Sequence, residues 1–382
     1  MFKYMKIALL TWTYFNYGTQ LQAYSMCTYL KNNGQDVDFI NYLTRKEDVI
    51  RYGKKNLSHQ IKRVIKKSKQ ISLNRRMAKI GDDNIEALKN RQYKFDNFMK
   101  NSLPLTKKYT ASELLNISDY YDLYIVGSDQ VWSPKYLDGR FFLDFVKNKN
   151  KLVAYAPSFG VKSLDTEITE RVSKWIQRFE YLSVREIAGK EIIQELTGKE
   201  VPVVLDPTFL FNKDEWYSNF EASNKQDEKY ILCYFLSENS YYWKVVSKIA
   251  DILGFKVIIV PNTPDDFECP YEKYIDVAPI DFAKMIYDAA YVITDSFHGT
   301  AFAINFGIDF LTLARFSEKS KESENSRVKS ILELLNFDDR FIVSDTISCT
   351  VEIDKEKWKK CEMLLEKKRE ESKQYLNNIL KV

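Results

Sequence analysis

The sequence has little of what metal- and cofactor-dependent sites are commonly built from. It contains five cysteines, which lie far apart without a Cys-x-x-Cys pair, and only two histidines. This spacing excludes a Cys-based metal site and a disulfide framework, and it is typical of reduced thiols in a cytoplasmic protein. No Gly-x-Gly-x-x-Gly follows a strand pattern, and the P-loop, His-Glu-x-x-His and Gly-x-Ser-x-Gly motifs are absent. We therefore expect neither a dinucleotide cofactor nor a bound metal.

Long apolar runs and a strong net charge are also missing. No apolar run reaches the roughly 18 residues that a membrane-spanning helix requires. The segment 1–10 is too short for a signal peptide and continues into a strand pattern, so we assign it to the fold. The net charge of +4 is too small to indicate nucleic acid as a partner. The sequence predicts a cytoplasmic protein.

Alternating strand and helix patterns run along most of the chain. The 382 residues, 45% of them hydrophobic and 29% charged, are typical of a soluble protein with two or three domains. Strands are predicted at 6–12, 37–42, 122–127, 151–155, 181–184, 230–236, 255–260, 291–294 and 310–313. Helices are predicted at 19–33, 166–179, 187–196, 242–253, 282–290, 299–306 and 328–335, with a loop over 212–228. The alternation predicts an α/β fold of two Rossmann-like, doubly wound domains that face a cleft.

Three boundaries follow from this pattern. We predict a first domain at 1–212 that carries a helical insertion at 47–100 and is covered by it, and a second domain at 213–345. A charged helix within 350–382 is expected to pack back on the first domain through Trp358, Met363, Leu364 and Tyr375. The segment 51–79 holds eleven Lys or Arg and no acidic residue. It indicates either a solvated helix face or a surface for anionic lipid or a polyprenyl diphosphate, with nucleic acid as a third alternative.

Polar candidates follow four of the predicted strands and the apolar segment 201–205. They are Asn16 to Gly18, Ser128 with Asp129, Arg185, Asp206, and Ser296 to His298. Because ligands bind at the carboxyl ends of strands in open α/β sheets, we expect these residues to line the cleft.

His298 lies where a strand turns into a helix, beside N–H groups that suit a phosphate or carboxylate. An imidazole there can bind the anion or transfer a proton. Simpler interpretations stay open. Residue 298 fits a core histidine beside a helix cap, Asp206 before Pro207 fits a turn, and Arg185 fits a surface ion pair with Glu186.

Six motifs occur in one order along the chain. They are NYGTQLQAY at 16–24, GSDQVW at 127–132, SVRE at 183–186, VLDPT at 204–208, SFHGT at 296–300 and NSRV at 325–328. Together they resemble the polysaccharide pyruvyl transferase family over roughly residues 6–340, apart from most of the basic insertion. The resemblance implies a fold similar to the two-domain glycosyltransferases of the GT-B kind.

The resemblance also implies an activity. Members of this family transfer the enolpyruvyl carbon of phosphoenolpyruvate to two hydroxyls of a sugar, which forms a cyclic ketal and releases phosphate. Arg185 and His298 are implied to hold the phosphoenolpyruvate. Some members have an arginine two positions before this histidine, where this chain has Ser296, and Arg327 is our candidate for the missing cation. The residues predicted to bind substrate are Asn16, Gly18, Gln130, Trp132, Ser296, Gly299, Thr300, Asn325 and Arg327.

The implied reaction needs a general acid and a general base but no redox cofactor. His298 is our candidate acid or phosphate ligand and Asp129 our candidate base or acceptor ligand, and Arg185 completes the predicted catalytic set. The expected acceptor is a sugar of a surface-polysaccharide precursor on a lipid carrier, reached by peripheral contact of 51–79 with the inner face of the membrane. Two other functions stay open: a glycosyltransferase with a nucleotide-sugar donor, and a non-catalytic sugar- or anion-binding protein of the same fold.

Overall fold

Two parallel β-sheets form the framework of the protein. The computed structural model describes residues 4–50, 72–220, 228–316 and 325–381. The first sheet contains β1 (Lys6–Leu10), β2 (Asp36–Phe39), β3 (Leu123–Val126), β4 (Leu152–Ala154) and β5 (Tyr181–Leu182). The second contains β6 (Tyr230–Tyr234), β7 (Lys256–Ile259), β8 (Glu272–Lys273), β9 (Tyr291–Thr294), β10 (Asp309–Leu313) and β11 (Phe341–Ile342). All described strand pairs within the two sheets are parallel.

Helices connect the strands and cover the sheets. They are α1 (Tyr17–Asn32), α2 (Asp82–Ser102), α3 (Thr166–Ile176), α4 (Ile187–Thr197), α5 (Lys213–Tyr217), α6 (Tyr242–Leu253), α7 (Pro264–Glu268), α8 (Pro279–Asp288), α9 (Phe297–Phe306), α10 (Asn325–Leu334) and α11 (Lys355–Ile379). Residues 72–77 are also helical. None of the described helices is both long and apolar enough to cross a membrane.

The two faces of each sheet are packed into different parts of the core. Alternate residues of β1, such as Ile7 and Leu9, join a cluster that also contains Leu232 of β6, while Ala8 and Leu10 join a separate cluster on the opposite face. The other face of β6 packs into a third cluster. Strands buried on both faces are typical of parallel sheets with helices on each side. The expected fold class of two doubly wound α/β units is therefore confirmed.

Each sheet has one place where the strand order reverses. The order in the first sheet is β2-β1-β3-β4-β5, so successive connections leave β1 in opposite directions and the reversal lies between β1 and β3. The second sheet has the order β11-β10-β9-β6-β7-β8, with the reversal between β6 and β9. Ligands bind outside the carboxyl ends of strands at such reversals. The segments after β1, β3, β6 and β9 are therefore the places to look for a site.

The helical insertion contacts both sheets rather than the first alone. Its residues 51–71 lie outside the described part of the chain, and 47–50 are not helical. In α2, Phe95 packs on Tyr17 of α1 with ring centroids 4.8 Å apart, whereas Arg91 donates to the carbonyl of Pro261 after β7. Arg76 forms ion pairs with three carboxylates of the second half, at Glu238, Asp265 and Glu268. The insertion, which we expect to cover the first domain, therefore also contacts the second half.

The C-terminal helix α11 also reaches both halves. Its Ser372 accepts the N–H of Leu205, and its Tyr375 donates to the carbonyl of Ala154 in β4. Trp358, near its start, donates to Asp309 of β10 at 2.8 Å. Met363 is 69% exposed, so it does not belong to the packing face. The buried positions follow helical spacing instead: Cys361, Leu365, Arg369, Ser372, Leu376 and Ile379.

The predicted loop at 212–228 contains a helix. Asn212 accepts the N–H of Glu215 at 2.9 Å, and Glu215 accepts the N–H of Asn212 at 2.7 Å. This reciprocal capping box satisfies two backbone donors and starts α5. Residues 221–227 of that loop lie outside the described ranges.

Candidate functional site

His298 lies in the first turn of α9, directly after the carboxyl end of β9. The helix is capped by Ser296, whose hydroxyl accepts the N–H of Gly299 at 3.3 Å. His298 is only 6% exposed, and its Nε2 has no hydrogen-bond partner within the described part of the chain. The imidazole therefore stands at a helix N-terminus, where the partial positive charge of the backbone favours anions.

Gly299 and Thr300 make the contacts that hold this turn against β9 and β10. A Cβ at Gly299 would lie 2.7 Å from the hydroxyl of Thr294, so only glycine lets the helix pack this closely on β9. Thr300 is fully buried, and its hydroxyl bonds to the carbonyl of Ser296 and to the hydroxyl of Thr312. Both residues were predicted to bind substrate. The structure gives them, and the cap residue Ser296, contacts that hold the turn.

Gly18 brings the first half of the protein against His298. It lies in the first turn of α1, which is capped by Asn16 through the N–H of Thr19. A Cβ at Gly18 would lie 2.0 Å from His298 Nδ1. The N-termini of α1 and α9 therefore meet, and the missing side chain at position 18 makes room for the imidazole.

Arg185 leaves β5 and is buried at the same junction. Its Nη1 donates to Asp206 Oδ2 at 2.7 Å, and its guanidinium lies 4.2 Å from the ring centroid of Phe297. Nε and Nη2 are buried without a hydrogen-bond acceptor among the described residues. Burial acts to lower the pKa of Arg185, but the charges of Asp206, Asp129 and Glu186 outweigh burial and raise it. A permanently charged fork with two unused donor atoms suits a carboxylate or phosphate.

Asp206 is the central anion of this cluster. It is almost fully buried and accepts hydrogen bonds from the backbone and hydroxyl of Thr208 and from the hydroxyl of Ser128. His298 Nε2 lies 3.7 Å from its Oδ2. Burial alone would raise the pKa of Asp206, but His298, Arg185 and the Thr208 N–H together bring it well below its ordinary value. Asp206 therefore stays ionised and links the arginine to the histidine.

Asp129 lies opposite Asp206, after the carboxyl end of β3. Its Oδ1 is 3.6 Å from Arg185 Nη2 and 4.0 Å from Arg327 Nη1, beyond hydrogen-bond distance in both cases. Its backbone is in the left-handed region, with φ of 62°. Non-glycine residues in this region are uncommon and cluster at functional sites. Asp129 therefore lies near both guanidinium groups.

The two arginines come from different halves of the chain. Arg185 follows the first sheet, whereas Arg327 lies in the first turn of α10, after β10 of the second sheet, and is 8% exposed. A cavity of about 80 Å³ adjoins Arg185, Asp206 and Phe297. The cluster of Asp129, Arg185, Asp206, His298 and Arg327, hereafter the junction cluster, therefore lies where the two halves meet.

Three further predicted binding residues have structural contacts. Trp132 is fully buried, donates to the carbonyl of Phe141 and stacks on Phe142, so it belongs to the core and not to a substrate surface. The side-chain amide of Asn325 bonds to the backbone of Phe316. The side chain of Gln130 lies against Gly160.

Sequence reasoning listed Asp206 among the cleft residues but assigned it no role. From the sequence, Asp206 is interpreted as a residue that forms a turn, and it does cap the turn at 207–209. It also binds Arg185 and faces His298. The sequence signal for its role is the position of Asp206 after an apolar segment, at the sheet edge where the other candidates lie. Ser128, which hydrogen-bonds Asp206, was named only as the neighbour of Asp129.

Several solved enzyme structures are similar to this chain, over nearly the whole length of both chains. The UDP-GlcNAc 2-epimerase from Methanocaldococcus jannaschii is 15% identical with a TM-score of 0.48, over 96% of this chain and 94% of that one. The Neisseria meningitidis UDP-GlcNAc 2-epimerase bound to UDP-GlcNAc is 9% identical with a TM-score of 0.46, over 95% and 99%. E. coli heptosyltransferase WaaC with ADP is 10% identical with a TM-score of 0.41, over 95% and 100%.

Among protein families, one sequence model matches most of the chain. No curated protein sequence matches significantly. The family model described as polysaccharide pyruvyl transferase matches residues 16–317, a range that includes every member of the junction cluster except Arg327. The protein therefore belongs to the polysaccharide pyruvyl transferase family.

Proposed function

We propose that the protein transfers pyruvate from phosphoenolpyruvate to two hydroxyls of a sugar, forming a cyclic ketal and releasing phosphate. The sugar is part of a surface-polysaccharide precursor. The observation that carries this proposal is Arg185, a buried guanidinium with two unused donor atoms beside His298 and Arg327. Leaving charged donors buried without acceptors is costly unless a ligand supplies them. A donor with both a carboxylate and a phosphate meets that need.

In this proposal the donor binds between the two arginines. Arg185 binds one anionic group through Nε and Nη2, and Arg327 approaches from the second half. The N-terminus of α9 offers further positive potential at His298. Ser296 is uncharged, and its hydroxyl caps α9. Arg327 therefore supplies the cation that an arginine at this position supplies in some members of the family.

The reaction requires proton transfers that the cluster can perform. His298 donates a proton to the methylene carbon of phosphoenolpyruvate, which leaves a cationic centre at the adjoining carbon. The first sugar hydroxyl adds there and gives its proton to Asp129. The carbon–oxygen bond to phosphate then breaks, and the departing phosphate takes the proton held by Asp129. The second hydroxyl closes the ketal and gives its proton to His298, which restores both side chains. Overall, the two hydroxyl protons end on the new methyl group and on the released phosphate.

Asp206 acts in this scheme through its neighbours. It fixes Arg185 by a 2.7 Å bond and faces His298 Nε2 at 3.7 Å. Through these two contacts it holds the guanidinium in place and sets a negative charge beside the imidazole. Asp206 is therefore a positioning residue.

The direct test is to incubate the protein with phosphoenolpyruvate and a panel of lipid-linked and nitrophenyl glycosides. We expect phosphate release and a product whose mass corresponds to the ketal. Release of a nucleoside diphosphate from sugar nucleotides, with none of phosphate from phosphoenolpyruvate, would instead support a glycosyltransferase. Sugar or anion binding with no turnover of either donor would support a non-catalytic protein.

The His298→Ala variant tests the role of the imidazole. We expect it to fold normally and to lose at least about 10²-fold in activity, the usual contribution of a positioned proton-transfer group. Calorimetry with phosphoenolpyruvate tests the arginines in parallel, and Arg185→Lys should weaken binding because a point charge does not replace a bidentate fork. Full activity of His298→Ala, or unchanged donor affinity in Arg185→Ala and Arg327→Ala, contradicts these assignments.

A further inference from the structure

Three aromatic side chains form a partly exposed surface beside the junction cluster. Trp12 and Tyr14 lie in the segment that follows β1, and Tyr136 lies in the segment that follows β3. The ring centroid of Trp12 is 5.5 Å from that of Tyr14 and 5.6 Å from that of Tyr136. We call these three residues the aromatic platform. It stands at the place where the strand order of the first sheet reverses.

The platform combines two exposed rings with one buried ring. Tyr14 is 53% exposed and Tyr136 is 45% exposed, whereas Trp12 beneath them is 8% exposed. The Lys135 ammonium lies 5.2 Å from the Tyr136 ring centroid. Tyr14 therefore offers the more open ring for stacking, and Tyr136 forms the rim.

The indole N–H of Trp12 provides a second, independent observation. It is buried and has no acceptor within the ranges that the structure describes. By contrast, the indole N–H groups of Trp132, Trp216 and Trp358 each donate to an oxygen at 2.8–2.9 Å. Buried donors without acceptors are rare in native proteins and call for a specific reason. An oxygen of a bound molecule would satisfy this donor.

The segments that carry the platform also carry Asp129 and Gly18. The hydroxyl of Thr11 donates to the carbonyl of Ser128, which joins the segment after β1 to the residue before Asp129. Four residues beyond Tyr14, Gly18 touches His298. The platform therefore belongs to the same edge of the protein as the groups assigned to proton transfer.

The chemistry of the platform selects a neutral molecule with both an apolar face and polar edges. The three rings carry no charge, and the neighbouring Asp138 is fully buried and bonded to Tyr42 and to the backbone of Arg140. A pyranose ring has this character, because its axial C–H groups form an apolar face and its hydroxyls lie at the rim. Aromatic rings stack on such faces, and an indole N–H donates to a hydroxyl oxygen.

We propose that the acceptor sugar stacks on Tyr14, with Tyr136 at its rim and the Trp12 indole N–H donating to one of its oxygens. This proposal rests on the proposed function, and it adds the site and the recognition mode of the acceptor. Stacking at this position presents the sugar hydroxyls to Asp129.

Steady-state kinetics with saturating phosphoenolpyruvate and varied methyl hexopyranosides test the proposal. A methyl aglycone is used because it has no aromatic ring that could stack on the platform in place of the sugar. We expect Tyr14→Ala to raise KM for the glycoside about tenfold while KM for phosphoenolpyruvate stays unchanged. The control is Tyr93→Ala on α2, which removes a ring that is 67% exposed and should change neither KM. An increase in the phosphoenolpyruvate KM that equals the increase for the glycoside would overturn an acceptor-specific role.

Trp12→Phe removes the donor and keeps most of the ring. We expect glycoside binding to weaken about three- to tenfold, as for the loss of one hydrogen bond. Saturation-transfer NMR with the methyl glycosides measures this binding without the donor, which separates the two proposals. If phosphate release fails for every acceptor but Tyr14→Ala still abolishes glycoside binding, the platform stands and the reaction assignment falls. If the parent binds no glycoside, or if Tyr14→Ala and Trp12→Phe both bind as tightly as the parent, the platform is overturned.

Discussion

At the scale of single residues, Gly18 controls how closely the two halves approach. Its hydrogen occupies the space beside the imidazole, and an added Cβ would lie 2.0 Å from His298 Nδ1 and 2.7 Å from His298 Cβ. The second distance involves the base of the side chain, so rotation of the ring alone cannot relieve the contact. The tip of α1 or α9 must move instead.

We therefore predict that Gly18→Ala loses activity by about 10²-fold or more, close to the loss in His298→Ala. Alanine is a better helix former than glycine, so the loss cannot come from a weaker α1. Phosphate-release assays with circular dichroism check this result. Gly34→Ala is the control, since its added Cβ meets nothing within 4 Å. It should cost about 1 kcal/mol through its positive φ and leave turnover intact. Full activity of Gly18→Ala would contradict the contact.

Asp266 is a second residue with a measurable consequence. It accepts the N–H groups of Asn262 and Thr263 at the start of α7. Burial nevertheless raises the pKa of Asp266 to about 7, against about 3.9 in unfolded chains. Because the folded pKa is the higher one, the associated stability is complete below about pH 4 and is lost as the pH rises towards 7.

In that window the free energy of unfolding should fall by up to about 1.4 kcal/mol per pH unit. We predict that Asp266→Asn flattens this slope, which urea unfolding between about pH 4 and 8 measures. Asp251→Asn, on the exposed face of α6, should keep the parental slope. An identical slope in Asp266→Asn and the parent would show that another group titrates.

At the scale of elements, α11 is tied to the helix that carries His298. Arg369 is 4% exposed and donates to the carbonyl of Phe209 at 2.7 Å and to Asn305 of α9 at 2.9 Å. Asn305 in turn donates to the carbonyls of Thr208 and Phe211. One guanidinium thus connects α11, the C-terminal turn of α9 and the turn that follows Asp206.

We predict that Arg369→Met lowers the free energy of unfolding by about 2–4 kcal/mol, because it leaves two buried acceptors without donors. Chemical denaturation measures this change. Lys367→Met on the exposed side of the same helix should change stability by less than about 0.5 kcal/mol. Equal stability of the two variants would exclude the proposed role of Arg369.

The elements themselves were largely predictable, because parallel strands buried on both faces are continuous apolar runs and helices repeat at 3.6 residues. The helix at 242–253 and the strand at 291–294 were placed without error. Contacts between distant segments were not predictable. The sequence carries no local signal for the pairing of Asp206 with Arg185 or for the inward direction of Trp132. The assignment of Met363 to the packing face was wrong by half a helical turn. The roles of the junction cluster remain predictions.

At the scale of the whole molecule, the basic segment 51–79 raises the question of membrane contact. Only its residues from 72 onward are described, and Arg76 is bound by three carboxylates. Arg76 is therefore not available to a membrane, and fewer than eleven of the Lys and Arg residues in this segment can contribute to binding. Lys and Arg near an anionic bilayer each contribute up to about 1 kcal/mol, less at higher salt. The few apolar positions at 51–79 favour reversible surface binding.

We predict co-sedimentation with anionic vesicles at low salt and release at about 1 M salt, where screening is nearly complete. Neutral vesicles are the lipid control. A variant with Lys62, Arg63, Lys66 and Lys67 changed to Gln should bind more weakly and keep its turnover of soluble glycosides. Binding that persists at high salt contradicts an electrostatic contact, and no binding at low salt leaves a solvated helix face as the interpretation.

The contacts of α11 also have a consequence for the order of assembly during translation. Both sheets and all members of the junction cluster precede α11 in the sequence, so the ribosome makes them first. Until α11 emerges, the carbonyl of Phe209 and the amide of Asn305 lack the guanidinium that binds them in the finished protein. Domains fold as they leave the ribosome, N-terminal parts first. The nascent protein therefore passes through a stage in which its two halves are folded but still lack the connection that α11 makes between them.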